Sequence, residues 1–165
     1  PSMAFGTGHH PTTKMCISLI KENIDEKFRI LDLGCGSGIL GITALKFGAK
    51  NCLSIDIEDE SVKATIKNSF DSNVLGIKSE KQDLIKSIDI NFKPDLIIAN
   101  LNSYLFKGGI KNIINCMKPK TKIIASGILI ENYEEIKKIF TDNNLFEIKK
   151  LESGDWAAIL LGNYA

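Results

Sequence analysis

Apolar residues at Met15, Cys16, Leu19, Ile20 and Ile24 recur at spacings of about three and four, which predicts a helix after Pro11. Proline suits a first helical turn, and Thr12 and Thr13 fall in that turn. The run Arg29-Ile30-Leu31-Asp32-Leu33 is short, apolar and followed by glycines, the pattern of a buried strand. Residues 38–48 predict a helix with Ile39, Leu40, Ile42 and Leu45 inward and Gly48 at its end. A second strand is expected at Asn51–Ile57. A helix from Asp59 follows, carrying Val62, Ile66 and Phe70 on one face and ending at Asp71-Ser72-Asn73. Residues 76–93 have a weak pattern, with a short strand near Ile77–Lys81 and then an irregular stretch. Asp95–Leu101 predicts a buried strand. Helices around 104–117 and 132–143 flank another at Lys122–Ser126. Phe146–Leu151 and Trp156–Leu161 predict a hairpin about Ser153-Gly154-Asp155.

One helix, repeated strand–helix units and a terminal hairpin imply a doubly wound α/β fold with a mostly parallel sheet. In such sheets ligands bind beyond the carboxyl ends of the strands, where strand order reverses. The ends of the first, second and fourth strands are therefore the place to look for chemistry.

Composition narrows the picture. A length of 165 residues suits one domain, and 44% hydrophobic with 25% charged residues opposes wholesale disorder. The net charge is +1, and Arg29 is the single arginine, so no arginine-rich stripe for reading nucleic acid is present. No apolar run approaches the ~20 residues of a membrane span. Cys16, Cys35, Cys52 and Cys116 include no C-x-x-C pair, so neither zinc nor a dithiol redox site is expected. Four reduced thiols suit a cytoplasmic protein. The chain begins at Pro1 and not at Met, and is expected to be a piece of a longer protein.

The chemistry centres on Asp32-Leu33-Gly34-Cys35-Gly36-Ser37-Gly38, between a strand and a helix. Glycines permit positive φ and close backbone approach, and the helix start offers unpaired N–H groups. The spacing is G-x-G-x-G. A dinucleotide fingerprint would need glycine at Ile39, and no P-loop lysine follows. Asp56 lies 22 positions after Gly34, where a carboxylate could take two ribose hydroxyls. The alternative is a solvated residue or a helix cap. Asp83, in Gln82-Asp83-Leu84, is in the region where a polar side chain could reach an adenine amino group.

Ala4–Thr13 (AFGTGHHPTT), Leu31–Ala49 (LDLGCGSGILGITALKFGA), Ser54–Glu58 (SIDIE), Ile97–Leu101 (IIANL) and Ser126–Leu129 (SGIL) together resemble the PrmA family, which methylates a ribosomal protein. The resemblance runs nearly the whole chain. It implies a Rossmann-like class I methyltransferase with a seven-stranded sheet whose last strand is antiparallel, and S-adenosylmethionine as donor. Carried over by motif, Thr13, Gly34, Asp56 and Asn100 would hold the cofactor, with Gly36 in the same loop. It further implies residues 1–165 as one catalytic domain: a loop and helix over 1–27, then the core over 28–165. A separate N-terminal domain that grips the ribosomal protein is expected to be missing. The implied acceptors are amino groups, on a lysine side chain or a chain terminus. Neither membrane nor direct nucleic-acid contact is expected.

A lysine amine, with a reference pKa of about 10.4, must lose a proton before it can accept a methyl group. Asn100 could bind cofactor and shape the acceptor site; alternatively it is a turn residue. His10 could help remove the proton, or cap backbone and shield the cofactor. Thr13 could touch the cofactor or help cap the helix. Phe5 could close over the methionine part of the cofactor. Trp156 and Tyr104 could line the acceptor pocket, though single aromatics often serve packing. Asn100-Leu101-Asn102-Ser103 lacks the proline pair and aromatic of nucleic-acid amino-methylating enzymes. Methylation of RNA, DNA or a small amine, and a non-catalytic cofactor-binding module, stay open as alternatives.

Overall fold

The structure is a computed structural model that describes residues 8–164. Phe5 and Gly6, with the first residues of the Ala4–Thr13 block, lie outside the described residues. In chain order the elements are α1 (Pro11–Asn23), β1 (Arg29–Leu33), α2 (Ile39–Lys46), β2 (Asn51–Asp56), α3 (Asp59–Asp71), β3 (Ile77–Lys81), β4 (Leu96–Asn100), α4 (Ser103–Asn115), β5 (Lys122–Leu129), a 3-10 turn (Ile130–Asn132), α5 (Tyr133–Asp142), β6 (Leu145–Ser153) and β7 (Trp156–Asn163).

The seven strands form one sheet in the order β3-β2-β1-β4-β5-β7-β6. Pairings among β1 to β5 are parallel, and β7 runs antiparallel to both neighbours. The expected seven-stranded α/β architecture with a terminal antiparallel hairpin is thus observed. Ile30–Leu33 and Leu96–Ala99 are buried on both faces, because helices cover both sides of a parallel sheet. One apolar core joins α4 and α5 to the sheet, and the other joins α1 and α2 to it. No helix among the described residues is long and apolar enough to cross a membrane.

One expectation is corrected. Ile66 and Phe70 of α3 do not pack inward: they are 53% and 82% exposed, while Thr65 and Ser69 are buried. The inner face of α3 is polar because it meets the glycine turn. The Thr65 hydroxyl donates to Cys35 Sγ at 3.3 Å or the Gly36 carbonyl at 3.2 Å, and Asn68 donates to the Ser37 carbonyl at 2.8 Å. Hydrophobic periodicity registers apolar faces only, so a helix whose inner face binds a backbone loop misleads it.

The irregular stretch after β3 also has an internal partner. Leu84 is 7% exposed, and a Cβ on Gly109 would fall 1.9 Å from Leu84 Cδ1. Gly108 and Gly109 thin α4 so that the turn at residues 83–86 can lie against it, and Asn112 donates to the carbonyls of Leu84 and Ile85.

Candidate functional site

At the carboxyl edge of the sheet lies a cleft of about 560 Å³. This is within the range of small-molecule sites. Gly34, Asp56, Asp83, Asn100, Gly127 and Trp156 are among its lining residues. It sits where strand order reverses between β1 and β4, the position anticipated from chain order.

The glycine turn has left-handed backbone at Gly34 (φ 67°), Gly36 (φ 54°) and Gly38 (φ 83°). Only glycine adopts such a run cheaply. The turn is fastened to β2: the amides of Gly34 and Cys35 both donate to the Ile55 carbonyl, at 2.9 and 3.0 Å. Asp56 completes the fastening. Its Oδ2 accepts from the Gly36 amide at 3.0 Å and its Oδ1 from the Glu58 amide at 2.9 Å. The carboxylate therefore has a structural task as well as a position on the cleft, and each oxygen keeps lone-pair capacity for a further donor. Burial pushes the Cys35 thiol up to about 12, so this residue of the turn is a neutral packing group and not a nucleophile.

Across the cleft, Asn100 ends β4. Its Oδ1 is buried and has no hydrogen bond, and its Nδ2 lies 3.5 Å from Thr12 Oγ1. A buried amide oxygen without a donor is costly unless something else satisfies it. Gly127 (φ 80°) lies against it: a Cβ there would stand 2.4 Å from the Leu101 carbonyl oxygen and 3.2 Å from Asn100 Oδ1. This glycine permits the ends of β4 and β5 to approach. Its role becomes visible only when those ends are side by side.

Asp83 reaches the cleft, but its Oδ1 also accepts from the Ile85 amide at 3.0 Å, so it shapes its own turn. Thr13 is fully buried on α1 and is not among the residues lining the cleft. Gly36 reaches the site through Asp56. His10 is the N-cap of α1, accepting from the Thr12 amide at 3.2 Å, with its ring edge-on to Trp156 at 5.1 Å between centroids. Trp156 is half-buried, whereas Tyr104 is 71% exposed at the cleft margin. Sequence reasoning missed Ile57, Thr12 and Gly127. Ile57 had a usable signal: an apolar residue directly after the acid, 53% exposed yet facing the cleft.

The residues present fit an adenosyl methyl donor. The turn offers close backbone approach, Asp56 offers hydroxyl acceptors, and Asn100 stands in the opposite wall.

Comparison with known proteins identifies the family. The family model described as ribosomal protein L11 methyltransferase (PrmA) matches residues 1–163. The ribosomal protein L11 methyltransferase of Alkaliphilus metalliredigens is 35% identical over 161 residues, covering 97% of this chain and 50% of that protein. That of Lactobacillus johnsonii is 36% identical, covering 98% of this chain and 50% of the relative. The chain thus spans about half the length of the curated relatives it matches. A crystal structure of ribosomal protein L11 methylase from Lactobacillus delbrueckii subsp. bulgaricus superposes with a TM-score of 0.88 at 29% identity, covering 94% of this chain and 80% of that one. A methyltransferase from Clostridium acetobutylicum, at 15% identity and TM-score 0.79, shares the fold. The glycine turn, its acid and the Asn100 wall stand in a sequence that matches this family model almost throughout, and the chain belongs to the ribosomal protein L11 methyltransferase (PrmA) family.

Proposed function

We propose that this chain binds S-adenosylmethionine in the cleft between the glycine turn and Asn100, and that the protein transfers its methyl group to amino groups of a ribosomal protein. The observation that carries the reading is the pairing of Asp56 with Gly36: the carboxylate that would hold the sugar is the one that fixes the loop. Gly34 gives the close backbone approach, Asp56 accepts from ribose hydroxyls, and Asp83 lies where an adenine amino group would be met. Thr13, buried on α1, is the further cofactor contact that the family motif implies. The relatives named above are called ribosomal protein L11 methyltransferases, which supports a ribosomal-protein amine as acceptor. Such a substrate puts the reaction in the cytoplasm.

When bound, the cofactor supplies a methyl group on a sulfonium, already a good leaving group. The chain's own contribution is placement and exclusion of water. Orientation of this kind is worth roughly 7–11 kcal/mol in favourable cases. Trp156 and Asn100 both line the cleft and Tyr104 stands at its margin, so an amine entering there would meet aromatic surface. His10 Nδ1 is committed to the Thr12 amide, which favours a capping role for this histidine over removal of a proton.

Calorimetry tests the core of the reading. S-adenosylmethionine should bind and NAD should not; the reverse would end it. Asp56→Ala should weaken cofactor binding by roughly 1.5–3 kcal/mol, the scale of hydrogen bonds to a charged group. Unchanged affinity would remove Asp56 from the site. Mass spectrometry of ribosomal proteins from cells with and without the full-length gene tests the acceptor. Methyl groups missing from RNA or DNA instead would favour the nucleic-acid alternative.

A further inference from the structure

The cap of α1 and the end of β4 are joined by one chain of hydrogen bonds, and the direction of that chain can be worked out. The Thr12 amide donates to His10 Nδ1 at 3.2 Å, so Nδ1 carries a lone pair and not a proton. Thr12 Oγ1 lies 2.8 Å from the same nitrogen. Two lone pairs at that separation would repel, so the hydroxyl proton lies between them, with Thr12 as donor. The remaining lone pairs of Oγ1 then face Asn100, and only the donor end of its amide can meet them. That end is Nδ2, at 3.5 Å. The acceptor end, Oδ1, is turned away and left as a buried oxygen without a partner, beside Gly127. Thr12 itself is fully buried and held from its backbone side, where Ser126 Oγ donates to the Thr12 carbonyl at 3.4 Å.

We propose that Thr12 is a positioning residue for Asn100: its hydroxyl, polarised by His10, selects the amide orientation in which Nδ2 meets Thr12 and Oδ1 is held beside Gly127, and so fixes the Asn100 side chain in the cleft wall. An asparagine amide is nearly symmetric in shape, so packing alone cannot choose between its two orientations. A hydroxyl whose proton is already committed can. The consequence for cofactor rests on the function proposed above; the orientation of the amide does not.

The test has an arm that needs neither cofactor nor variant. NMR of the histidine ring nitrogens in the whole chain should show His10 with Nδ1 unprotonated and its proton on Nε2. A nuclear Overhauser contact should join the Asn100 side-chain NH₂ to the Thr12 side chain. A proton on Nδ1, or no such contact, overturns the proposal. The second arm compares Thr12→Val, nearly equal in volume, with Thr12→Ser, which keeps the hydroxyl. Thr12→Val should shift the Asn100 amide resonances and weaken S-adenosylmethionine binding roughly three- to tenfold, the scale of one hydrogen bond. Thr12→Ser should stay within about twofold of the parent. Equal losses in both variants, or Asn100 resonances unmoved by Thr12→Val, would reduce Thr12 to packing and sink the idea. If Thr12→Val fails to fold, the ring-nitrogen measurement and Thr12→Ser still decide. Failure of the parent chain to bind S-adenosylmethionine would count against the proposed function, while the NMR arm would still judge Thr12.

Discussion

Between pH 4 and pH 8, the stability of Asp32→Asn relative to the parent is expected to rise by about 4 kcal/mol. Asp32 is 2% exposed near the end of strand β1, and its Oδ2 has no hydrogen bond. It lies under α2 at Gly41, where an added Cβ would meet Cys52 Sγ at 2.9 Å, Ser54 Oγ at 3.1 Å and Asp32 Oδ2 at 3.3 Å. Burial lifts its carboxyl from 3.8 to about 7, against the pull of the Gly41 amide and with a further push from the Asp56 charge. The direction follows from proton counting. Between those two values the folded chain holds a proton that the unfolded chain has released, so stability falls as pH rises. The penalty is absent well below 3.8, grows through the window and is complete above about 7. Asparagine keeps the shape without the charge, so its stability lacks this pH-dependent penalty, while any cost of its amide donors is the same at every pH. Urea unfolding of parent and variant at pH 4, 6 and 8 measures the gap. A gap that stays constant with pH would show that Asp32 ionises freely and that its burial carries no such cost.

Gly127→Ala is expected to lower stability by about 2–5 kcal/mol, combining a left-handed backbone at an L-residue with overpacking. It is also expected to weaken S-adenosylmethionine binding by roughly tenfold or more, the equivalent of a lost hydrogen bond to the site. The φ of 80° accounts for part of this. The larger part is the approach of 2.4 Å to the Leu101 carbonyl oxygen, a backbone atom that cannot swing aside. Relief requires the end of β4 to move from β5, where the Leu101 amide donates to the Ser126 carbonyl at 3.1 Å. Asn100 would move with it. Gly154→Ala is the control: its φ is 59°, but a Cβ there meets nothing within 4 Å, so it should show the strain without the loss of binding. Equal binding in both variants would separate the β4–β5 junction from the site.

Much of the architecture is legible in the sequence. Buried strands such as Ile97-Ile98-Ala99 announce themselves because a parallel sheet is covered on both faces, so every position must be apolar. The glycine turn was legible because positive φ restricts the choice of residue. Asp56 was legible because a strand end has few positions from which an acid can face that turn. The inner face of α3 was not legible: Thr65 and Asn68 are ordinary polar residues until the loop that they bind is brought to them. Residues 82–90 were obscure for a similar reason, since Leu84 finds its partner across the chain at Gly109.

The sequence by itself determined the order of strands and helices, the edge of the sheet where ligands collect, and the G-x-G-x-G turn with its acid. These depend on local periodicity and on backbone torsions, which neighbouring residues set. Tertiary structure decided that Asp56 holds Gly36, that Thr12 meets Asn100 across 88 positions of sequence, and that Asp32 is sealed under α2. Each of these is a matter of distance and of exclusion of water. Both quantities arise only when remote segments pack, and no run of residues encodes them on its own.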